Sequence, residues 1–379
     1  MTSKTRLAAA LGLLARGSGA LLIAFGLAGC VPDARLKIPL NDVPAVLDDG
    51  WLVATPASQG FDAAKLKESY DLFFSEDDFV TARSLLVVRN GYLVAEGYCR
   101  DLDDIGRKRA IQSATKSVTS LLVGIAIDQG ILDSVGRMLY SIVPDKFGAG
   151  ADEARRAITL RDLLTMKSGL DFSNDDFTLE MAYDVRGDGT AHILRKPLVH
   201  QPGTFYNYQD CDPYLVGAAL ERLAGASLEE FAVTNLFGKI GISDFIWLKQ
   251  RDGTTYGAYG LYLTPRNLAR LGKLVVQRGL WDGEQVVSSA WIDTSTAKQT
   301  DMDPESAGHG FDYGFYWWRV PELGAFTAYG HGGQYVLVAP AKQLVIVMTA
   351  EPDTNGDAAE IGLPSFVDLA RIVIEAAGP

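Results

Sequence analysis

Three cysteines and four histidines in 379 residues leave little material for a metal centre or a disulfide framework. His192, His200, His309 and His331 stand at no metal-ligand spacing, and neither H-E-x-x-H nor G-x-S-x-G occurs, which removes zincin and α/β-hydrolase chemistry. No metal or cofactor is expected. Positive charge is also short: 35 Lys and Arg against 47 Asp and Glu give a net charge of −12, which argues against a nucleic-acid surface and against charge-driven binding to anionic lipid. There is no internal repeat or low-complexity tract. What the chain does have is apolar material, 47% hydrophobic and 10% aromatic, enough at this length for a packed globule of two subdomains.

Ser113-Ala114-Thr115-Lys116 is where chemistry enters. A hydroxyl and an amine one turn apart share a helix face, and behind them Val118, Leu121, Leu122 and Ile125 follow the i, i+3, i+4, i+7 spacing up to Gly130, a candidate C-cap. A serine hydroxyl is a weak nucleophile unless a neighbour removes its proton during attack. Lys116 serves as that base only if neutral, which requires its pKa to fall by about 3 units from about 10.4, roughly 4 kcal/mol. The same spacing recurs at Ser295 and Lys298, but there it runs into Gln299-Thr300-Asp301-Met302-Asp303-Pro304, with no apolar period to bury a lysine. On its own, then, Ser-x-x-Lys is also satisfied by an ordinary helix cap with a solvated lysine.

Further motifs follow in order. Tyr208-Gln209-Asp210 comes after Pro202-Gly203-Thr204 and before a helical stretch, and His331-Gly332-Gly333 lies between two strand-like runs. This succession resembles the serine β-lactamase-like, penicillin-recognising hydrolases of class C type, with S-x-x-K, then Tyr-x-Asn, then K-T-G or its H-x-G equivalent. The likeness extends over roughly residues 50 to 375: Thr159 to Leu170, ending in Ser-Gly-Leu, and Gly260 to Gly272 are similar to later helices of that family. Tyr313-Gly314 with Trp317-Trp318 and Gly332 to Val336 look most like its 6-aminohexanoate-dimer hydrolase and esterase branch.

The resemblance implies that Ser113, Lys116 and Tyr208 carry catalysis. It implies an oxyanion hole made by the backbone N–H groups of Ser113 and Gln334, with Gly332 and Gly333 letting the strand approach substrate, and His331 and Asp210 beside the substrate. Tyr206 lacks the family spacing to Asp210 and is expected to pack. Two positions depart from the pattern. Asp210 stands where the family has Asn and puts an anion beside Lys116, which works against lowering its pKa. His331 stands where the penicillin-binding branch has Lys, so the permanent cation for a substrate carboxylate is missing. Lys167-Ser168-Gly169 imitates K-T-G but follows a helix.

The fold expected is mixed α+β. Leu85 to Val88 and Tyr92 to Ala95 flank Asn90-Gly91, a strong hairpin signal. Thr159 with Asp162, Ser227 with Glu230, and Thr264-Pro265 mark helix starts. Strands return at Phe315 to Arg319, Tyr335 to Ala339 and Leu344 to Met348, before a last helix from Ser365 to Ala376. N- and C-terminal strands therefore share one antiparallel sheet flanked by helices, with an all-helical subdomain at roughly 131–255 inserted. Trp317 and Trp318 point to opposite faces, so at most one lines a site. The polar segment 171–197 is expected to loop over the cleft, and Cys99 and Cys211 permit at most one disulfide, with Cys211 also readable as a small buried side chain.

Residues 1–29 read as a targeting segment: Lys4, Arg6 and Arg16 precede a short apolar run, Ala20 to Leu27. Leu27-Ala28-Gly29-Cys30 resembles a bacterial lipoprotein cleavage box, which implies lipidation of Cys30, export, and a membrane anchor facing the periplasm or cell exterior. Residues 30–50 form a tether and 51–379 the hydrolase domain. The leading functional reading is a serine hydrolase acting through an acyl-enzyme on small esters or amides. A class C-type β-lactamase or cell-wall D-peptidase, and a catalytically silent binding lipoprotein, are the alternatives. The oligomeric state is not legible.

Overall fold

Asn90 and Gly91 both take positive φ, 52° and 82°, and close the two-residue turn between strands β1 (Ala82–Arg89) and β2 (Tyr92–Tyr98). The computed structural model describes residues 43–75, 79–99, 102–173, 187–351 and 361–378. The expected signal segment, the lipidation site Cys30 and the tether up to residue 42 lie outside the described residues. Strands β3 (Asp312–Tyr313), β4 (Trp318–Val320), β5 (Ala325–Gly330), β6 (Gln334–Ala339) and β7 (Leu344–Ala350) complete a seven-stranded sheet. Its order is β2-β1-β7-β6-β5-β4-β3 and every pairing is antiparallel, so the N-terminal hairpin extends the C-terminal meander as expected. The strand expected over 315–319 is instead a turn and a late strand. Tyr316 adopts φ 64°, and the Gly314 N–H donates to the Trp317 carbonyl at 2.8 Å, which reverses the chain before β4.

The helices that matter for the site are α1 (Ala63–Phe73), α2 (Thr115–Asp128), α3 (Leu160–Leu164), α4 (Cys211–Ala224), α5 (Leu228–Ala232), α6 (Pro265–Val276) and α7 (Leu363–Ala376). The helix starts read from sequence hold: Thr159/Asp162 and Ser227/Glu230 are reciprocal capping boxes, and Thr264 caps a helix with Pro265 in its first turn. Every residue of β6 and β7 is buried, so both faces of the sheet are covered. Strand alternation divides the work. Val336 and Val345 meet α6, so closely that a Cβ at Gly272 would lie 2.3 Å from Val345 Cγ1. Tyr335, on the opposite face, stacks on Phe366 of α7 at 4.1 Å between ring centroids. No helix among the described residues is long and apolar enough to cross a membrane.

Among the described residues between 131 and 255 the named elements are helices and helical turns, apart from the two-residue strand Ile246–Trp247. Of the loop expected over 171–197, residues 174–186 lie outside the described residues, and Gly189–Ile193 is helical. Cys99 and Cys211 are both buried and are not bridged to one another.

Helix α2 is the axis of the molecule, with Thr115 through Ala126 all buried. A helix enclosed on every side needs partners for its hydroxyls as well as its methyls. Ser117 donates to the Tyr316 carbonyl at 2.6 Å and Thr119 to the Gly257 carbonyl at 2.8 Å, while the Trp291 indole donates to the Ser120 carbonyl at 2.9 Å. Gly124 is required here, because a Cβ would fall 2.1 Å from Trp291 Cδ1. These contacts fix the rotation of α2 about its axis and hence the direction of whatever precedes its first turn.

Candidate active site

Ser113 does not cap α2. It stands in a 3-10 turn, Gln112–Ala114, just ahead of the helix, and the N-cap position falls on Ala114, which makes no side-chain cap. Released from capping, the Ser113 hydroxyl accepts a hydrogen bond from Lys116 Nζ at 2.7 Å. The turn is under strain, for Gln112 takes φ 49°, a left-handed conformation that a residue with a Cβ adopts only when its surroundings enforce it. Two neighbours enforce it. The Ile111 N–H donates to the Leu261 carbonyl at 2.9 Å, and β5 presses on the Ile111 carbonyl through Gly330, where a Cβ would lie 2.2 Å from that oxygen.

Lys116 is 1% exposed, and its three N–H groups have three acceptors: Ser113 Oγ, Asp210 Oδ1 at 2.6 Å and the Ala258 carbonyl at 3.2 Å. The ammonium also lies 5.0 Å from the centroid of the Tyr208 ring. Burial works against this charge, but attraction to Asp210 and Tyr208 and hydrogen bonding with both outweigh it, and the pKa is raised above the ordinary 10.5. The lowering that a lysine base requires is therefore reversed. Lys116 is a cation at neutral pH, and the cause is the residue at which the sequence departs from Tyr-x-Asn.

Asp210 occupies the N-cap position of α4, a 14-residue helix, yet makes no side-chain cap. Its carboxylate is turned to Lys116. Behind it Asp212 is buried and accepts from Gln209 Nε2 at 3.1 Å and from the Ser168 N–H at 3.3 Å. Burial pushes its pKa up to about 7 against those hydrogen bonds. The same Gln209 amide donates to Ser168 Oγ at 2.9 Å, which ties the second motif to the Ser168-Gly169 turn.

Ser113, Tyr208, Asp210 and His331 line one cleft of about 510 Å³, together with Gln112, Tyr259, Trp318 and Tyr329. Tyr259, Tyr329 and Gln112 were not singled out from the sequence; the signal available was Gly330, a glycine inside a strand pattern, which marks a close backbone approach. Tyr208, Trp318 and Tyr329 form an aromatic wall, with centroids 5.8 Å apart for Tyr208–Trp318 and 5.4 Å for Trp318–Tyr329. Trp317, which precedes β4, instead packs inward, edge-on to Phe326 at 5.5 Å, so one of the two tryptophans lines the cleft, as expected. Tyr206 also packs, against Tyr313 at 5.8 Å, with its hydroxyl buried.

The Gln334 side chain does not line the cleft. Gln334 is 0% exposed, and its side chain spans to β7, donating to the Ala350 carbonyl at 2.7 Å and accepting from the Ala350 N–H at 3.3 Å. Gly332 and Gly333, φ 78° and 99°, are buried and close the β5–β6 turn, and a Cβ at Gly333 would meet Ala350 and Ile361 at 3.0 and 3.2 Å. The buried Gln334 amide side chain thus braces β6 against β7, while the oxyanion role expected of Gln334 concerns its main-chain N–H. The close approach to the serine belongs to Gly330, and His331, exposed at the end of β5, borders the cleft.

The second Ser-x-x-Lys is taken apart by the fold. Ser295 is fully buried in the helix Ser289–Thr296 and donates to the Ile292 carbonyl at 3.3 Å. Lys298 is half exposed and pairs with Asp301 at 2.6 Å.

The beta-lactamase family profile matches residues 84–362. The 6-aminohexanoate-dimer hydrolase of Paenarthrobacter ureafaciens is 26% identical over 297 residues, 72% of this chain and 74% of that protein. Among solved structures, a penicillin-binding protein homologue from Caulobacter crescentus superposes with TM-score 0.65 at 18% identity, covering 89% of this chain and all (100%) of that one. A family VIII carboxylesterase gives TM-score 0.63 at 17% identity over 83% and 96% of the two chains. At these identities the solved structures speak for the fold.

Proposed function

This chain belongs to the beta-lactamase family of serine hydrolases, and from that premise we propose that it hydrolyses small neutral esters or amides through an acyl-enzyme on Ser113. The observation that carries the reading is the 2.7 Å contact of Lys116 Nζ with Ser113 Oγ at the floor of an aromatic cleft. Ser113 attacks the carbonyl, its proton leaves along the hydrogen bonds of Lys116 and Tyr208, and the Lys116 ammonium stabilises the oxygen as it loses that proton. The Tyr208 phenol, at the cleft beside both, delivers a proton to the leaving group, and water then hydrolyses the acyl-enzyme. The oxyanion is assigned to the main-chain N–H groups of Ser113 and Gln334, because Gly330, against the serine turn, also brings the start of β6 close to it. A donor of this kind contributes about 3 to 4 kcal/mol to the transition state. The name of the Paenarthrobacter relative is consistent with amide turnover. The lipoprotein box at Cys30 supports the further proposal that the enzyme is exported and tethered to a membrane.

The cleft favours neutral substrates over anionic ones. Among the described lining residues there is no Lys or Arg, and Asp210 adds a negative charge. A β-lactam carboxylate would lose a charged hydrogen bond worth about 1.5 to 3 kcal/mol, roughly a 10- to 150-fold disadvantage. The test is kcat/KM over p-nitrophenyl acetate and butyrate, a linear amide dimer and a chromogenic cephalosporin. Esters should lead the cephalosporin by that factor, and His331→Lys should narrow the gap. Cephalosporin turnover equal to the best ester would install the β-lactamase or D-peptidase reading instead, and no turnover of any of them would favour the silent binding lipoprotein.

A further inference from the structure

We propose that Asp210 is the proton acceptor of the acylation step and that Lys116 relays the proton to it. The inference rests on the reading of Ser113 as nucleophile and adds the residue that takes its proton. Ser113 Oγ, Lys116 Nζ and Asp210 Oδ1 form a continuous chain with links of 2.7 and 2.6 Å. Lys116 holds its full complement of protons and cannot take another while all three N–H groups donate. It accepts one only by giving one up, and the acceptor that carries a negative charge is Asp210.

An N–H proton of Lys116 first passes to Oδ1, and the free amine turns its lone pair to Oγ. As Oγ bonds to the substrate carbonyl carbon, its O–H bond breaks and that proton passes to Nζ. Lys116 is an ammonium before and after, and Asp210 becomes a carboxylic acid. When the tetrahedral intermediate collapses, the proton returns by the same links, through Lys116 and the Tyr208 phenol, to the departing oxygen or nitrogen. The attacking water of deacylation uses the relay again.

Asp210 is placed for this. It gives up the helix cap that its position offers, and its side chain is 12% exposed at the wall of the cleft. Among the described residues the other ionisable groups around the pair include Tyr208, Tyr313, Cys211 and, behind them, buried Asp212, with Tyr259 and His331 lining the cleft. Tyr313 and Cys211 are kept un-ionised by burial, so neither supplies a competing base.

Asp210→Asn, a near-isosteric change, separates the possibilities. If Lys116 itself were the base, Asp210 would be an inhibitor of its deprotonation: the native enzyme would gain activity as pH rises towards 10, and the Asn variant would match or exceed it at pH 7. The relay predicts the opposite. Native kcat should show no such alkaline rise, and Asp210→Asn should lose about a hundredfold or more at pH 7, the scale of general base catalysis. The variant's residual activity should rise with pH, since without the anion the Lys116 pKa falls and the free amine becomes accessible. Asp210→Ala should recover roughly tenfold or more with added formate, which a merely structural role would not give. Turnover of Asp210→Asn within threefold of native at pH 7, or a folded Asp210→Ala without formate rescue, overturns the proposal. Should Asp210→Ala fail to fold, the Asn profile decides alone. Full activity of Ser113→Ala in the same assay would mark failure of the nucleophile reading itself.

Discussion

Ser113→Ala is expected to lower turnover of the best ester by about 10⁴- to 10⁶-fold, the loss seen when the nucleophile of a covalent mechanism is removed and only the oxyanion site and binding remain. The change is conservative for the fold. Ser113 is half-buried, does not cap α2, and its hydroxyl serves the Lys116 contact rather than a strand or helix. Losing it leaves the Lys116 ammonium paired with Asp210 and the Ala258 carbonyl, so the buried cation stays compensated. Steady-state kinetics on protein whose melting temperature matches the native value check the effect. Ser295→Ala, the corresponding change in the second Ser-x-x-Lys, should leave kcat within twofold, because that hydroxyl is sealed in a helix.

Tyr208→Phe should cost about 10²- to 10⁴-fold in kcat, the range for losing a positioned acid–base group. Phenylalanine keeps the ring that packs on Trp318 at 5.8 Å and on Tyr313 at 6.3 Å, and it keeps the face presented to the Lys116 ammonium. Only the hydroxyl goes, so the loss should fall on kcat with KM little changed. An ester with a good leaving group should suffer least, since it needs the least proton assistance. Tyr206→Phe is the matched control: its hydroxyl is buried beside Tyr313, away from the cleft, and its turnover should be native. Near-native turnover of Tyr208→Phe would place the departing proton on Lys116 alone.

Local signals carried far in this chain because they are satisfied locally. Asn90-Gly91, the capping boxes at Thr159 and Ser227, and Thr264-Pro265 each specify a few dihedrals that no distant contact overrules. The nucleophile turn was legible as a motif but not as a conformation. Its left-handed Gln112 is imposed by Leu261 and Gly330, about 150 and 220 residues further along, and no local pattern reports a contact of that range. The same holds for Gln334. Its side chain reaches the Ala350 carbonyl on β7, a contact that no local pattern reports. The charge of Lys116 was half legible: Asp210 in place of Asn announced an anion, and only the 2.6 Å contact shows that attraction outweighs burial.

The account stands or falls on which serine becomes acylated. The most direct measurement is reaction of the folded protein with a fluorophosphonate ester probe, followed by peptide mapping of the adduct. A single adduct on Ser113, lost in Ser113→Ala and retained in Ser295→Ala, is the result predicted from the strained turn and the Lys116 contact. An adduct on Ser295, or an active preparation that carries no adduct on either serine, would contradict it.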